Sequence, residues 1–89
     1  MAVITRRRDV SEAERRRALK EYGNVKYADP TNKKYPIDTE EHVRAAWSYI
    51  NMPRNRRFYS EEELARIEAA IKRAAKRFGI EISDDKRGR

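Results

Sequence analysis

Eighty-nine residues, a net charge of +7 and no cysteine describe one small domain and exclude disulfides and thiolate metal sites. Charged residues make up 42% of the chain and hydrophobic ones 38%, which is polar for a globular protein. The apolar residues are clustered and periodic, however, so the reading is a folded middle with disordered ends. The apolar run at the start is too short for a signal peptide or a membrane span, and the expectation is a cytoplasmic protein with no membrane partner.

Residues 1–9 hold few core-forming side chains and include Arg6, Arg7 and Arg8. They read as a flexible basic arm ahead of a single helical domain over residues 10–82. Ser11 with Glu14 matches a capping box and opens a first helix over about Glu12–Tyr22, closed by Gly23. Its apolar face is thin (Ala18, Leu19 and Tyr22), so it is stable only if Leu19 and Tyr22 dock on the rest of the domain. Asp29 and Pro30 favour a type I turn between Val25–Ala28 and Lys34–Ile37. An ordered, tyrosine-pinned loop is the preferred reading there and a minimal hairpin the alternative, with Pro36 confining any strand to an edge.

A second helix is expected over about residues 39–50. Asp38 is its N-cap, with Glu41 at the reciprocal position of a second capping box and Thr39 as a one-residue alternative, and Val43, Ala46, Trp47 and Ile50 form one stripe. Residues 52–59 read as a loop. Ser60 and Glu63 then form a third capping box, Tyr59 and Leu64 form a staple, and Leu64, Ile67, Ile71, Ala74, Ala75 and Phe78 make the clearest helical repeat in the chain. Gly79 with Ile80 reads as a Schellman stop, and residues 83–89 as a charged, disordered tail. The fold class is mainly α: a short N-terminal helix, a tyrosine-rich loop or minimal hairpin, and a helix–loop–helix pair. Trp47, Ile50, Ile67 and Ile71 lie at its centre, with Leu19, Tyr22, Tyr27, Tyr35 and Ile37 closing the open side.

The string Tyr27-Ala28-Asp29-Pro30, then Lys34-Tyr35-Pro36-Ile37-Asp38-Thr39-Glu40-Glu41-His42-Val43-Arg44-Ala45-Ala46, and later Ile71-Lys72-Arg73-Ala74-Ala75-Lys76-Arg77-Phe78-Gly79-Ile80, resembles a small uncharacterised domain family. That family occurs in bacteria and in phage or prophage proteins. The resemblance covers roughly residues 24–82. It implies a compact helical module of phage or mobile-element origin, adds the phage particle as a place to find it, and assigns no catalytic or binding residue.

Little in the chain points to catalysis. His42 is the only histidine, and a metal or a catalytic dyad needs partners that the sequence does not place beside it. Packing at the helix start, with a hydrogen bond to a carboxylate, accounts for it. Glu40-Glu41 and Glu61-Glu62-Glu63 are explained by the positive N-terminal ends of their helices. The expectations are no enzyme activity, no cofactor, no metal and no small-molecule substrate.

The cations are the informative feature. The positive excess lies in the N-terminal part and the central loop, while residues 60–82 are balanced. There, Glu62 is spaced to pair with Arg66, and Glu68 with Lys72. Arg6, Arg7 and Arg8 on the arm, Arg15, Arg16 and Arg17 on the first helix, Lys33 and Lys34 at the turn, and Arg54, Arg56 and Arg57 beside Phe58 and Tyr59 suit phosphate contact with stacking. The preferred reading is a nucleic-acid or polyanion contact with little sequence preference. The alternative is a phage-type structural module docking on an acidic protein surface.

Overall fold

The computed structural model describes residues 4–82. Four helices and a two-stranded antiparallel hairpin follow one another as α1 (Glu12–Tyr22), β1 (Tyr27–Asp29), β2 (Lys34–Pro36), α2 (Glu40–Ile50), α3 (Pro53–Arg56) and α4 (Glu61–Arg77). The chain is mainly α, and the minimal hairpin rather than the open loop links α1 to α2. In it Tyr27 pairs with Pro36 and Asp29 with Lys34.

α2 and α4 form the body. The α2 stripe is buried at Val43, Ala46, Trp47 and Ile50, and α4 meets it with Leu64, Ile67, Ile71, Ala74 and Ala75. Val43, Ile50, Ile67 and Ile71 have no exposed surface at all. Burying such a side chain contributes about 1.5–3 kcal/mol, so this seam is the main source of stability. The hairpin covers the seam through Ala28 and Ile37, and Ile80 folds back onto it.

The helix ends follow local chemistry. Ser11–Glu14 and Ser60–Glu63 both form reciprocal capping boxes. α4 stops in a Schellman turn, with Gly79 at φ 71° and the Ile80 amide donating to the Ala75 carbonyl at 2.8 Å. The α2 N-cap is Thr39, whose hydroxyl accepts from the His42 amide at 3.1 Å. Asp38, the residue expected to cap, turns instead to the His42 ring, with Oδ1 at 2.6 Å from Nδ1.

Three features depart from the sequence reading. The expected free arm is anchored at two points, where Ile4 joins the core and Arg7 is buried, and Val10 just beyond it is buried too. The Thr5 amide and hydroxyl donate to Glu63 at 2.8 and 2.9 Å, fastening this segment to the first turn of α4. Leu19 and Tyr22 remain 39% and 36% exposed, because the apolar face of α1 is too narrow to hold it down. Arg15 is the one buried residue of α1. Its guanidinium donates to the Val10 carbonyl at 3.0 Å, and the Tyr27 hydroxyl donates to the Ala18 carbonyl at 3.4 Å. The 52–59 loop also contains a helical turn, α3, started by Pro53 at its first position. The expected tail, residues 83–89, lies outside the described residues, as do residues 1–3.

Candidate polyanion-binding surface

The ten cations expected to contact phosphate divide into three sets. Arg7, Arg15 and Arg56 are absorbed by the fold. Arg15 pairs with Glu12 as well as holding the Val10 carbonyl. Arg56 pairs with Glu68 at 2.7 Å and donates to the Ile50 carbonyl at 3.4 Å. Asn51 and Asn55 join it there, each donating at 2.8 Å to a carbonyl of the last α2 turn, Trp47 and Tyr49 respectively. These side chains satisfy a helix end that α2 leaves without a basic residue of its own.

Arg7 is the largest surprise. Its side chain is 7% exposed and pairs with Asp9. It lies over the Phe58 ring at 4.1 Å and donates to the Tyr59 hydroxyl at 3.1 Å. Burial alone would lower its pKa, but the hydrogen bonds to Asp9 and Tyr59 outweigh it and push the value up, so the cation is permanent. Tyr59 in turn donates to Asp29 Oδ2 at 2.7 Å, and burial followed by that bond holds its hydroxyl protonated. Asn32 closes the network. It donates to Asp29 at 2.8 Å, accepts from the Arg7 amide at 2.6 Å and donates to the Thr5 carbonyl at 3.1 Å. Asp29 and Asn32 are essentially inaccessible. The Asp-Pro-x-Asn turn was visible in the sequence. Its partners were not, because Tyr59 and Arg7 are remote along the chain and carry no pattern linking them to it.

A second set, Lys33, Lys34 and Arg54, comes together. The hairpin, α1, α2 and α3 enclose a groove of about 480 Å³, whose lining includes these three, Arg17 of α1, and Tyr22, Tyr35 and Tyr49. None of the four cations makes an ion pair among the described residues. Tyr49 is 52% exposed, the most open of the large apolar side chains among the described residues. Tyr22 meets His42 edge-on, with ring centroids 5.4 Å apart. Glu14 and Glu21 also line the groove. Glu14 is engaged at the α1 cap, where the Ser11 backbone amide, with Lys34 and Arg17 nearby, holds its carboxyl below the usual range. Lys33 and Tyr35, both on this groove, adopt left-handed backbone conformations at φ 56° and 62°. Such conformations cost a non-glycine residue about 1–3 kcal/mol and concentrate at functional sites.

The remaining set does not join the groove. Arg6, Arg8 and Arg16 are exposed and lie outside its lining, and the Arg57 guanidinium lies 5.1 Å from the Phe58 ring. His42 has one carboxylate neighbour, and no three histidine, aspartate or glutamate side chains are grouped to hold a metal among the described residues. No helix among them is long and apolar enough to cross a membrane.

A second groove, of about 440 Å³, runs between β1 and α4. Lys26, Arg66, Arg73 and Arg77 line it, together with Ile4, Ala28, Ile37, Ala69 and Ala70, and no carboxylate does. Arg66 does not form the ion pair with Glu62 that its spacing suggested. The charge balance of residues 60–82 therefore concealed a basic face, which helical periodicity applied to the charges alone would have separated from the acidic first turn.

The sequence model of a family described only as one of unknown function matches residues 1–85. No curated protein and no solved structure matches the chain.

Proposed function

We propose, for a chain that belongs to the family of unknown function DUF6582 and takes no assigned activity from it, that this domain binds single-stranded nucleic acid through the tyrosine-edged groove. The observation that carries the reading is the convergence of Lys33, Lys34, Arg54 and Arg17, from three separate elements, beside the half-exposed ring of Tyr49. Unpaired cations along a groove meet successive phosphates, and an exposed aromatic ring stacks a base whatever its identity. Base edges find few readers there. Asn55 donates its amide to the Tyr49 carbonyl and Asn32 is buried in the network around Asp29, so little sequence preference is expected.

The test is a titration of a fluorescent mixed-sequence single strand at several salt concentrations. With three or four phosphates neutralised, the affinity falls with a log–log slope of about −2 to −3. Lys34→Glu combined with Arg54→Glu weakens binding by about tenfold or more at low salt, and Tyr49→Ala weakens it by about 1–3 kcal/mol. Absence of binding at low salt, or equal binding by the charge-reversed variant, overturns the proposal.

A further inference from the structure

We propose that the groove between β1 and α4 docks an acidic amphipathic helix from another protein, at a site separate from the tyrosine-edged groove. Arg66, Ala69, Ala70, Arg73 and Arg77 follow one another on α4 at steps of three, one, three and four, which places them on one face of the helix. All five line the groove, and Lys26 faces them from the segment leading into β1.

The cations here differ from those that the fold pairs with its own acids. Arg7, Arg15, Arg44 and Arg56 each pair with a carboxylate of this chain. Lys26, Arg66 and Arg73 make no ion pair among the described residues, and Arg77 rests 5.8 Å from the Phe78 ring rather than on an acid. A groove with four cations and no carboxylate is complemented by an acidic partner, and guanidinium groups bind carboxylates in a fixed two-pronged geometry.

The floor determines what kind of acid fits. Its accessible apolar surface is that of Ala69 and Ala70, half-buried on α4 above the buried Ile4, Ala28 and Ile37, and its one aromatic, Tyr27, is buried as well, so no ring is offered to a nucleic-acid base. Ala69 and Ala70 leave space at the centre of the α4 face, which lets a second helix approach to an interaxial distance of about 8 Å. Arg66 and Arg73 then stand one turn to either side as clamps. A partner helix with small or aliphatic residues on one stripe and glutamates flanking it satisfies both features in the helix-in-groove mode.

The probe is a fluorescent synthetic helix of about 20 residues with a leucine–alanine stripe flanked by glutamates, titrated with the full chain and followed by anisotropy. A scrambled peptide of identical composition serves as the control. The striped peptide binds and the scrambled one does so at least about tenfold more weakly. Arg66→Glu with Arg73→Glu, both at exposed positions and checked for folding by circular dichroism, abolishes the difference, whereas Lys34→Glu with Arg54→Glu leaves it unchanged. Equal binding of the two peptides reduces the groove to general charge attraction and overturns the proposal. So does a dimer of the chain in sedimentation velocity that Arg73→Glu dissolves, because the occupant is then a second copy. Neither result bears on single-strand binding, which is read with a different probe and different variants.

Discussion

The Tyr59 hydroxyl stands between a buried carboxylate and a buried guanidinium, donating to Asp29 and accepting from Arg7. At such a position chemical identity matters more than volume. Tyr59→Phe keeps the ring but removes the hydroxyl donor from Asp29, which is completely inaccessible. A hydrogen bond to a charged group contributes about 1.5–3 kcal/mol, so urea unfolding of Tyr59→Phe should show a loss of that size. A loss below about 0.5 kcal/mol would mean that the network is not a structural lock. Glu63 gives the pH-dependent counterpart. Burial would raise its pKa, but the amides of Thr5 and Ser60 and their hydroxyls outweigh it, and the value lies below the ordinary glutamate range. Its contribution to stability is therefore complete above about pH 4.3 and lost as pH falls through the depressed folded-state value. Glu63→Gln should be less stable than the parent at neutral pH, and the gap should close as thermal melts are taken into acid. A gap independent of pH would contradict that assignment.

Elements differ in how firmly the core holds them. Ile4 belongs to a segment that composition alone makes a free arm, yet it is 5% exposed in the main cluster. Ile4→Ala should cost about 2–5 kcal/mol. Leu19→Ala, on the weakly held α1 at 39% exposure, should fall within about 1 kcal/mol of the parent. Denaturation midpoints compare the two directly, and equal losses would refute this ranking. The contrast shows what was legible in the sequence. The α2 stripe, the α4 stripe as far as Ala75, two capping boxes and the Schellman stop rest on neighbours within a few residues and are readable, whereas Phe78, expected to continue the α4 stripe, is exposed. The docking of residues 4–9 and the outward lean of Leu19 and Tyr22 depend on how distant segments pack, which periodicity does not encode; the choice of Thr39 over Asp38 as cap is local, set by the Asp38 contact with the His42 ring four residues on. The candidate site divides in the same way. Residue type nominated Lys33, Lys34 and Arg54, and the fold brings them together. Arg7, Arg15 and Arg56 have the same chemistry on paper but are held by acids of the chain: Asp9 and Glu12 lie two and three residues away, within reach of a sequence reading, whereas Glu68 on Arg56 and Tyr59 on Arg7 are brought near only by folding.

At the scale of the whole molecule, a net charge of +7 attracts any polyanion weakly, so affinity alone says little. Selectivity would come from two basic grooves of different character, one edged with tyrosines and the other with alanines on its α4 face. The measurement that tests this most directly is a titration of the isotopically labelled chain with a single-stranded oligonucleotide, followed residue by residue by amide chemical shift. Lys34, Tyr49 and Arg54 should move together while Ala69, Ala70 and Arg73 stay still. Shifts spread evenly over the cationic surface, or confined to the α4 face, would contradict it.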